Sequence, residues 1–307
     1  MSLPKVLLLG QIEHECQSGI HNGVIAILDR APASITITGR YDKTLLSALP
    51  SSLRYICHMG AGYDNIDIAA CTARGIHVSH APGVVEDATA DTALFLILAA
   101  MRGFNNGIMA IRNGQWEGKV PPGPLGREVG GKTSGILGMG GIGRKVKARA
   151  EACGMEVVYH NRTRLGEVEP AVAKYVEFEE LLRRSDVLSL SLPLNAGTRN
   201  IISKREFDMM REGIVIVNTA RGGVMDEEAL VEALESGRVR SVGLDVYASE
   251  PGVHPGLLSN PHVCLLPHMG TSTIETKRKM EEWTIANVRA ALETGLLKSI
   301  VPEQRNL

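Results

Sequence analysis

The chain has 307 residues, of which 44% are hydrophobic and 22% are charged, and its formal net charge is −1. These values exclude a disordered chain, which needs low hydrophobicity and high net charge. They also leave no net basic excess for binding nucleic acid or an anionic membrane. At roughly 100–200 residues per domain, the length predicts two domains or one large one. Glycine is unusually common, at about 11% of the residues compared with a typical ~7%, and its positions are informative below.

The cysteines and the N-terminal region indicate where the protein resides. Its five cysteines are scattered and form no CxxC pair, which favours reduced core thiols over a disulfide framework or a zinc site. The longest apolar stretch, Ala93–Met101, is too short to span a bilayer. No secretory leader is recognisable at the N-terminus. We therefore expect a cytoplasmic protein.

Short apolar runs alternate with amphipathic stretches along the whole chain. The runs are 5–10, 34–39, 53–57, 76–79, 134–138, 156–160, 186–193, 213–218, 241–246 and 262–267. Helical patterns include Glu179–Arg184, Asp226–Ser236 and two long stretches at about 86–106 and 272–293. Strands that alternate with helices predict βαβ units, parallel sheets and an α/β fold. The segment 113–132 is rich in Gly and Pro and is the candidate linker.

A glycine-rich segment at 132–144 contains the pattern GxGxxG, with Gly138, Gly140 and Gly143 in its fixed positions. A strand pattern enters it, a helical pattern leaves it and another strand follows, which is the order of a dinucleotide-binding unit. There the first glycine permits a tight turn, the second lets the backbone approach a pyrophosphate, and the third allows close helix packing. The helix N-terminus would hold the phosphate charge. The alternative is a βα turn without a ligand.

The end of the next strand indicates which dinucleotide is preferred. NAD-selective sites usually place Asp or Glu there, about 20 residues after the glycines, to bind the ribose hydroxyls. This chain instead has Asn161, Arg162, Thr163 and Arg164 after His160. Because arginine matches a 2′-phosphate in charge and geometry, the turn favours NADP(H). The alternative is a solvated basic turn in a site that accepts either cofactor.

Three polar residues follow strands of the predicted sheet. Arg221, Glu250 and His268 come after the runs at 213–218, 241–246 and 262–267. Ligands of open α/β sheets bind at the carboxyl ends of strands, so all three could face one site. A fixed cation can hold a carboxylate, a histidine can transfer a proton near neutral pH, and a carboxylate can stabilise the protonated ring. Each residue alone is also explained by a solvated loop, a turn or a satisfied strand end.

Six segments together carry a family resemblance. They are GAGYDNID at 60–67, GILGMGGIGR at 135–144, LPLNAGTRNII at 192–202, VNTARGGVMDEEAL at 217–230, GLDVYASEP at 243–251 and LPHMGTST at 266–273. This set resembles the D-isomer-specific 2-hydroxyacid dehydrogenases, and among them the glyoxylate/hydroxypyruvate reductase branch. The segments cover nearly the whole chain in the expected order.

The resemblance implies a role for each matching residue. Arg221 would bind the substrate carboxylate and polarise the carbonyl, His268 would be the acid/base and Glu250 its partner. The backbone of Met59, Gly60, Ala61 and Gly62 would hold the substrate carboxylate together with Arg221 and His268. The implied cofactor-binding residues are Gly138, Met139, Gly140, Gly141, Ile142, Gly143, Asn161, Arg162, Thr163, Arg164, Leu192, Pro193, Thr198, Thr219, Ala220, Arg221, Asp245, His268 and Gly270. His254 and His262 lie near His268 but have no zinc-like Cys or Glu spacing, so no metal is expected.

The resemblance also implies an architecture. It is α/β, with two Rossmann-like domains of parallel sheet, a flavodoxin-like substrate domain and a dinucleotide-binding domain, and a cleft between them. The substrate domain would be discontinuous, at 1–101 and 280–307, with the NAD(P)-binding domain at 102–279 inserted into it. The two long helices would form the crossovers and hinge. A homodimer through the cofactor domain is expected, with no nucleic-acid or membrane partner.

The function expected from these features is reduction of a small 2-ketoacid, of the glyoxylate or hydroxypyruvate type, to the D-2-hydroxyacid. NADPH would be the preferred hydride donor and NADH a possible one. The first alternative is a D-2-hydroxyacid dehydrogenase for a lactate-, mandelate- or aryl-pyruvate-type substrate. The second is a dinucleotide-sensing scaffold that resembles the C-terminal-binding corepressors; this chain lacks the long disordered flanks that suit such a role.

Overall fold

The computed structural model of the chain describes residues 26–27, 40–116, 124–166 and 173–306. The predicted strands at 5–10 and 34–39, and the middle of the predicted linker, lie outside these residues. The chain divides into two compact units, Met1–Val85 with Thr271–Leu307, and Glu86–Gly270. The first unit is therefore discontinuous, and the second is inserted into it.

The first unit contains a parallel sheet of three described strands. Its elements before the insertion are β1 (Ala26–Ile27), α1 (Lys43–Ala48), β2 (Tyr55–His58), α2 (Ile68–Ala73) and β3 (His77–Ser79). The strands pair in the order β1-β2-β3. Both short helices begin at an aspartate whose carboxylate accepts a backbone N–H, from Leu45 to Asp42 and from Ala70 to Asp67, the standard N-cap arrangement.

The second unit carries the larger sheet. Its elements are α3 (Glu86–Arg102), α4 (Phe104–Arg112), β4 (Thr133–Leu137), α5 (Gly141–Ala152), β5 (Glu156–His160), β6 (Lys174–Tyr175), α6 (Phe178–Arg184), β7 (Val187–Leu190), α7 (Lys204–Met209), β8 (Ile214–Asn218), α8 (Glu227–Glu235), β9 (Val239–Leu244), α9 (Pro255–Leu258) and β10 (Cys264–Leu265), with a 3-10 turn at Gly222–Val224. The first unit then resumes with α10 (Ile274–Thr294) and a 3-10 turn at Pro302–Gln304.

Seven parallel strands form this sheet, in the order β10-β9-β8-β7-β4-β5-β6. Strand order reverses between β4 and β7, which is the point where such sheets bind dinucleotides. Apolar side chains of α3 and α5 cover one face of the sheet, and those of α6, α7 and α8 cover the other. Because both faces are covered, strands such as β7 and β8 are buried throughout. The predicted α/β fold with parallel sheets is confirmed.

The predicted helix at 86–106 ends earlier than expected. Gly103 adopts a left-handed conformation, with φ 67°, so α3 stops at Arg102 and α4 starts a new direction. The side chain of Leu96 on α3 packs tightly against Gly243 of β9, which places α3 in the second unit. The predicted domain boundaries at 102 and 280 therefore differ from those of the structure, at Glu86 and Thr271.

Among the described residues, no single helix is both long enough and apolar enough to cross a membrane. The bent pair α3 and α4, which meet at 80°, passes that test of length and composition only when the two are joined.

Candidate active site

The turn between β4 and α5 contains the glycine pattern. Gly138 has φ 104°, and a Cβ there would overlap the carbonyl oxygen of Ser191. A Cβ at Gly143 would overlap the carbonyl oxygen of Gly138, so α5 packs directly on the turn. Gly140 caps the start of α5, and a Cβ added there would meet no heavy atom within 4 Å. At the next residue, Gly141, a Cβ would overlap the carboxylate of Glu86. The N-terminus of α5 thus faces open space at Gly140 and an anionic group at Gly141, and a helix N-terminus favours such groups.

The turn after β5 lies beside the glycines. The side-chain oxygen of Asn161 accepts a hydrogen bond from the backbone N–H of Met139 at 2.6 Å. Arg162, Thr163 and Arg164 are exposed, and the guanidinium carbon of Arg164 lies over the ring of Tyr175, 5.8 Å from its centre. The turn therefore presents two cations and no carboxylate next to the glycine-rich segment.

Buried hydroxyl groups at the carboxyl ends of β7 and β8 provide a test of whether a polar cofactor fits. Within the described part of the chain, Ser191 Oγ and Thr219 Oγ1 are buried without a hydrogen-bond partner. Unpaired buried polar atoms are costly. Ser191 follows β7, which borders the strand-order reversal, and Thr219 follows the next strand, β8, on the same side. The residues present thus fit the predicted cofactor. Thr198 differs, because its hydroxyl closes its own loop by donating to the carbonyl of Pro193 at 2.6 Å.

His268 and Glu250 form a close pair in the second unit. Nδ1 of His268 lies 2.7 Å from Oε2 of Glu250, and the side chains are only 26% and 22% exposed. The other carboxylate oxygen of Glu250 accepts from the backbone N–H of Tyr247 at 3.0 Å. Burial would raise the pKa of Glu250, but the hydrogen bond and charge of His268, the Tyr247 N–H and the charge of Arg221 outweigh it, so the pKa is lowered. The structure thus brings His268 and Glu250 into contact, and the charge of Arg221 acts on the same carboxylate.

The loop that carries Arg221 is held by a residue that the sequence analysis did not single out. Asn218 is fully buried at the end of β8. Its side chain donates to the carbonyl of Arg221 at 2.9 Å and accepts from the N–H of Ala220 at 3.0 Å. A Cβ at Gly222 would overlap the backbone of Tyr247, so this loop and the loop that leads to Glu250 are in direct contact. A polar residue that ends an apolar strand was the available signal.

Asp245 holds the turn that contains His268. Its two carboxylate oxygens accept from the backbone N–H groups of Met269 and Gly270, at 2.7 and 2.8 Å. Burial raises the pKa of Asp245, and these hydrogen bonds and the charge of His268 oppose the rise. His268 itself has φ 51°, an uncommon conformation for a residue other than glycine. Asp245 therefore stabilises the backbone on which His268 is mounted; the predicted contact with the cofactor stays a prediction.

The predicted substrate loop lies in the first unit, directly after β2. All three of its central carbonyls accept hydrogen bonds: Gly60 from the N–H of Ala81, Ala61 from His80 Nδ1 and Gly62 from His58 Nε2, each at 2.9 Å. A carbonyl can only accept, so both rings carry a proton on the named nitrogen. Burial lowers the pKa of His80, consistent with this neutral structural role. These hydrogen bonds hold the loop in shape through its carbonyls; its predicted contact with the substrate carboxylate stays a prediction.

The remaining histidines near His268 in sequence have other partners. Nε2 of His254 lies 3.1 Å from Glu228, and its Nδ1 accepts from the N–H of Gly256 at the start of α9. His262 Nδ1 lies 3.3 Å from the side-chain amide of Asn106. Across the described ranges, no group of three or more His, Cys, Asp or Glu side chains is placed to hold a metal ion.

Comparison with known proteins decides the family. Residues 94–270 match the family model of the D-isomer specific 2-hydroxyacid dehydrogenase NAD binding domain. The chain belongs to this family. The dehydrogenase is 53% identical to 4-methyl-2-oxopentanoate reductase A of Aspergillus oryzae over 292 residues, which is 95% of this chain and 88% of that protein. It is an NAD(P)-dependent oxidoreductase.

Solved structures agree with this assignment. A glyoxylate reductase from Paecilomyes thermophila aligns with a TM-score of 0.91 and 50% identity over 99% of this dehydrogenase and 100% of that chain. An NADPH-dependent glyoxylate/hydroxypyruvate reductase from Sinorhizobium meliloti, solved with NADP and malonate, aligns with a TM-score of 0.86 and 31% identity over 98% of each chain. The predicted membership of the glyoxylate reductase branch is confirmed.

Proposed function

We propose that the dehydrogenase reduces a small 2-oxoacid to the D-2-hydroxyacid, with Arg221, Glu250 and His268 as its working residues. The observation that carries this proposal is the 2.7 Å contact between His268 and Glu250, beside the charge of Arg221, on strand ends of the unit that matches the NAD-binding family. In this proposal Glu86–Gly270 is the cofactor domain, and the substrate-binding role of the loop at 59–62 stays a prediction. Closure of the two domains stays a prediction.

The contacts of His268 define how it acts. When bound, the reduced nicotinamide cofactor supplies a hydride to the keto carbon. The negative charge that develops on the carbonyl oxygen is neutralised by the proton that His268 donates from Nε2, because Nδ1 is held by Glu250. Glu250 remains ionised and stabilises the protonated ring before transfer. Arg221 binds the carboxylate of the substrate and polarises the neighbouring carbonyl.

Replacing His268 tests this proposal. His268→Ala should lower kcat for 2-oxoacid reduction by about 10²- to 10⁴-fold, the usual contribution of a general acid, while cofactor binding measured by calorimetry persists. His254→Ala is the matched control, because His254 also pairs with a carboxylate in the same unit. Unchanged turnover in His268→Ala would refute the assigned role.

We propose NADPH as the preferred cofactor. The support is the turn at 161–164, with two arginines and no acid, and the similar reductase of Sinorhizobium meliloti that was solved with NADP. Replacing Arg162 and Arg164 together by alanine should weaken NADPH binding more than NADH binding. Arg183→Ala, which removes an exposed arginine on α6, is the control. Equal losses for both cofactors would contradict the proposal.

For the substrate we propose glyoxylate or hydroxypyruvate, in line with the two reductase structures above. The Aspergillus oryzae relative is named for 4-methyl-2-oxopentanoate, which makes this branched 2-oxoacid the second candidate. One methylene in an apolar pocket changes binding by only about 1–3 kcal/mol. A panel of kcat/KM values for glyoxylate, hydroxypyruvate, pyruvate, phenylglyoxylate and 4-methyl-2-oxopentanoate, with both cofactors, decides between them.

We further propose that two copies associate through the cofactor domain. Helix α4 exposes Phe104, Ile108 and Ile111, which lie on one side because they are spaced four and three residues apart, and Trp116 is exposed just beyond. Ile108→Glu should shift the mass measured by light scattering from dimer to monomer. Arg205→Glu changes an exposed residue elsewhere on the unit and should not. A dimer that persists in Ile108→Glu would contradict this interface.

A cytoplasmic location stays a prediction.

A further inference from the structure

An aromatic cluster lies at the edge of the larger sheet, beside the turn that follows β5. Edge strand β6 pairs with β5 so that Tyr159 is opposite Tyr175. The ring centre of Tyr175 lies 5.6 Å from that of Tyr159 and 5.5 Å from that of His160, and His160 in turn contacts Phe178 at 5.7 Å. The ring of Tyr175 is thus fixed in orientation by its neighbours rather than free to rotate in solvent.

Arg164 uses this ring as a platform. Its guanidinium carbon lies over Tyr175, 5.8 Å from the ring centre, which is within the range of a cation–π contact. The backbone beside it is also held, because the N–H of Leu165 donates to the hydroxyl of Tyr159 at 3.3 Å. At the other end of the turn, Asn161 accepts from Met139 of the glycine-rich segment. Arg164 is therefore restrained in both its backbone and its side chain.

A guanidinium that lies over a ring still has all its N–H groups directed outward in its own plane. Within the described residues, the Arg164 guanidinium makes no hydrogen bond or ion pair, although it contacts Tyr175. With respect to these residues its donors are available for a planar or tetrahedral oxyanion, for which arginine is well suited. The neighbouring Arg162 is exposed and has no aromatic platform among the same residues. The side chain of Arg164 is therefore more restrained than that of Arg162 before a ligand binds.

We propose that Tyr175 is a positioning residue that preorders Arg164 for the 2′-phosphate of NADP(H). This inference rests on the proposed preference for NADPH. Because less side-chain freedom is lost when the phosphate binds, the effect falls on affinity for the phosphorylated cofactor. The proposed role requires the face of the Tyr175 ring and not its hydroxyl group, whose oxygen lies 3.4 Å from a carboxylate oxygen of Glu177.

The experiment compares Tyr175→Leu with Tyr175→Phe, which keeps the ring. We expect Tyr175→Leu to raise the Kd of NADP⁺, measured by calorimetry, about two- to fivefold, equivalent to about 0.4–1 kcal/mol. The Kd of NAD⁺ and kcat at saturating NADPH should not change, and Tyr175→Phe should behave as the wild type. In an Arg164→Ala background, Tyr175→Leu should have no further effect on the Kd of NADP⁺.

Several outcomes would overturn the inference. Equal losses for NADP⁺ and NAD⁺ would indicate a general structural role, and a Tyr175→Phe variant as weak as Tyr175→Leu would implicate the hydroxyl. If Tyr175→Leu does not fold, Tyr175→Trp offers a stronger cation–π partner and should tighten NADP⁺ binding; no tightening would count against the role. A wild-type enzyme with equal affinity for both cofactors would contradict the NADPH preference itself. If Arg164→Ala weakens NADP⁺ binding and Tyr175→Leu does not, the role of Tyr175 is contradicted but the NADPH preference is not.

Discussion

Replacing Glu250 by glutamine reverses the direction of one hydrogen bond in the active site. The backbone N–H of Tyr247 donates to Oε1 of Glu250, so the amide oxygen of the glutamine must take that position. Its NH₂ group then faces Nδ1 of His268, where the carboxylate oxygen lies at 2.7 Å in the wild type. An NH₂ group can donate only to an unprotonated Nδ1. The protonated ring of His268 that the proposed reduction needs is therefore opposed instead of stabilised.

The size of the effect follows from the type of contact that is lost. Both side chains are less than one third exposed, so solvent screens the pair less than a surface ion pair. A hydrogen bond to a charged group contributes about 1.5–3 kcal/mol. At about 1.36 kcal/mol for each factor of ten in rate, Glu250→Gln should lower kcat for reduction about 10- to 150-fold near neutral pH. The difference in kcat between the wild type and Glu250→Gln should shrink at low pH, where the carboxylate of Glu250, whose pKa is lowered, is itself protonated in the wild type.

The assay is the pH dependence of kcat for NADPH oxidation with glyoxylate, for the wild type and Glu250→Gln. Glu227→Gln is a matched control, since Glu227 also accepts a backbone N–H, that of Ala248 at 2.9 Å, and has no contact with His268 among the described residues. A Glu250→Gln variant with wild-type kcat and an unmoved pH optimum would refute the assignment of Glu250 as the partner of His268.

Three further predictions concern the framework around this pair. Asp245→Asn places an NH₂ group against one of the two backbone N–H groups that now donate to the carboxylate. The loss of a hydrogen bond worth about 1.5 kcal/mol should lower kcat about tenfold or more. An unchanged kcat would mean that other contacts hold the turn. Gly222→Ala forces a methyl group onto the backbone of Tyr247, whereas at Gly223 the methyl group would meet only the ends of the Leu194 and Arg199 side chains. Thermal unfolding should therefore show that the free energy of unfolding falls by about 1–3 kcal/mol for Gly222→Ala and by less for Gly223→Ala. The pKa of Glu250 is lowered in the folded protein, so its ionised carboxylate stabilises the fold at pH values above the unfolded pKa, and this stability is lost as the pH falls through the folded pKa. The difference in Tm between the wild type and Glu250→Gln should therefore shrink between pH 7 and pH 3. A constant difference would contradict the lowered pKa.

The strands of the larger sheet were predictable because both of their faces are buried. The run predicted at 156–160 coincides with β5, and the run at 213–218 contains β8. Edge strand β6 was not predicted, since its two residues, Lys174 and Tyr175, are too few to show an apolar pattern. The end of α3 was missed because the apolar pattern is too long instead of too short. Apolar residues continue past Gly103, and only its left-handed backbone separates the two helices.

The three proposed site residues could be located from their places after strands, and their roles were implied by the family resemblance, but the residues that support them could not be found in this way. Arg221, Glu250 and His268 each follow a strand, which is a pattern along the chain. Asp245 reaches the turn of His268 across 24 and 25 residues, and the buried amide of Asn218 acts on a loop whose shape the sequence does not display. The supporting roles of Asp245 and Asn218 depend on which backbone N–H groups need an acceptor. Those groups can be identified only when the positions of the loops are known.

The contact between Gly222 and Tyr247 has a consequence for how enzymes of this kind can diverge. It joins the loop that presents Arg221 to the loop that presents Glu250, and it does so backbone to backbone. Any side chain at Gly222 would meet the backbone of Tyr247, so the contact depends on the absence of a side chain at this position. Variants selected for new 2-oxoacids should therefore keep Gly222 and accumulate substitutions at other positions.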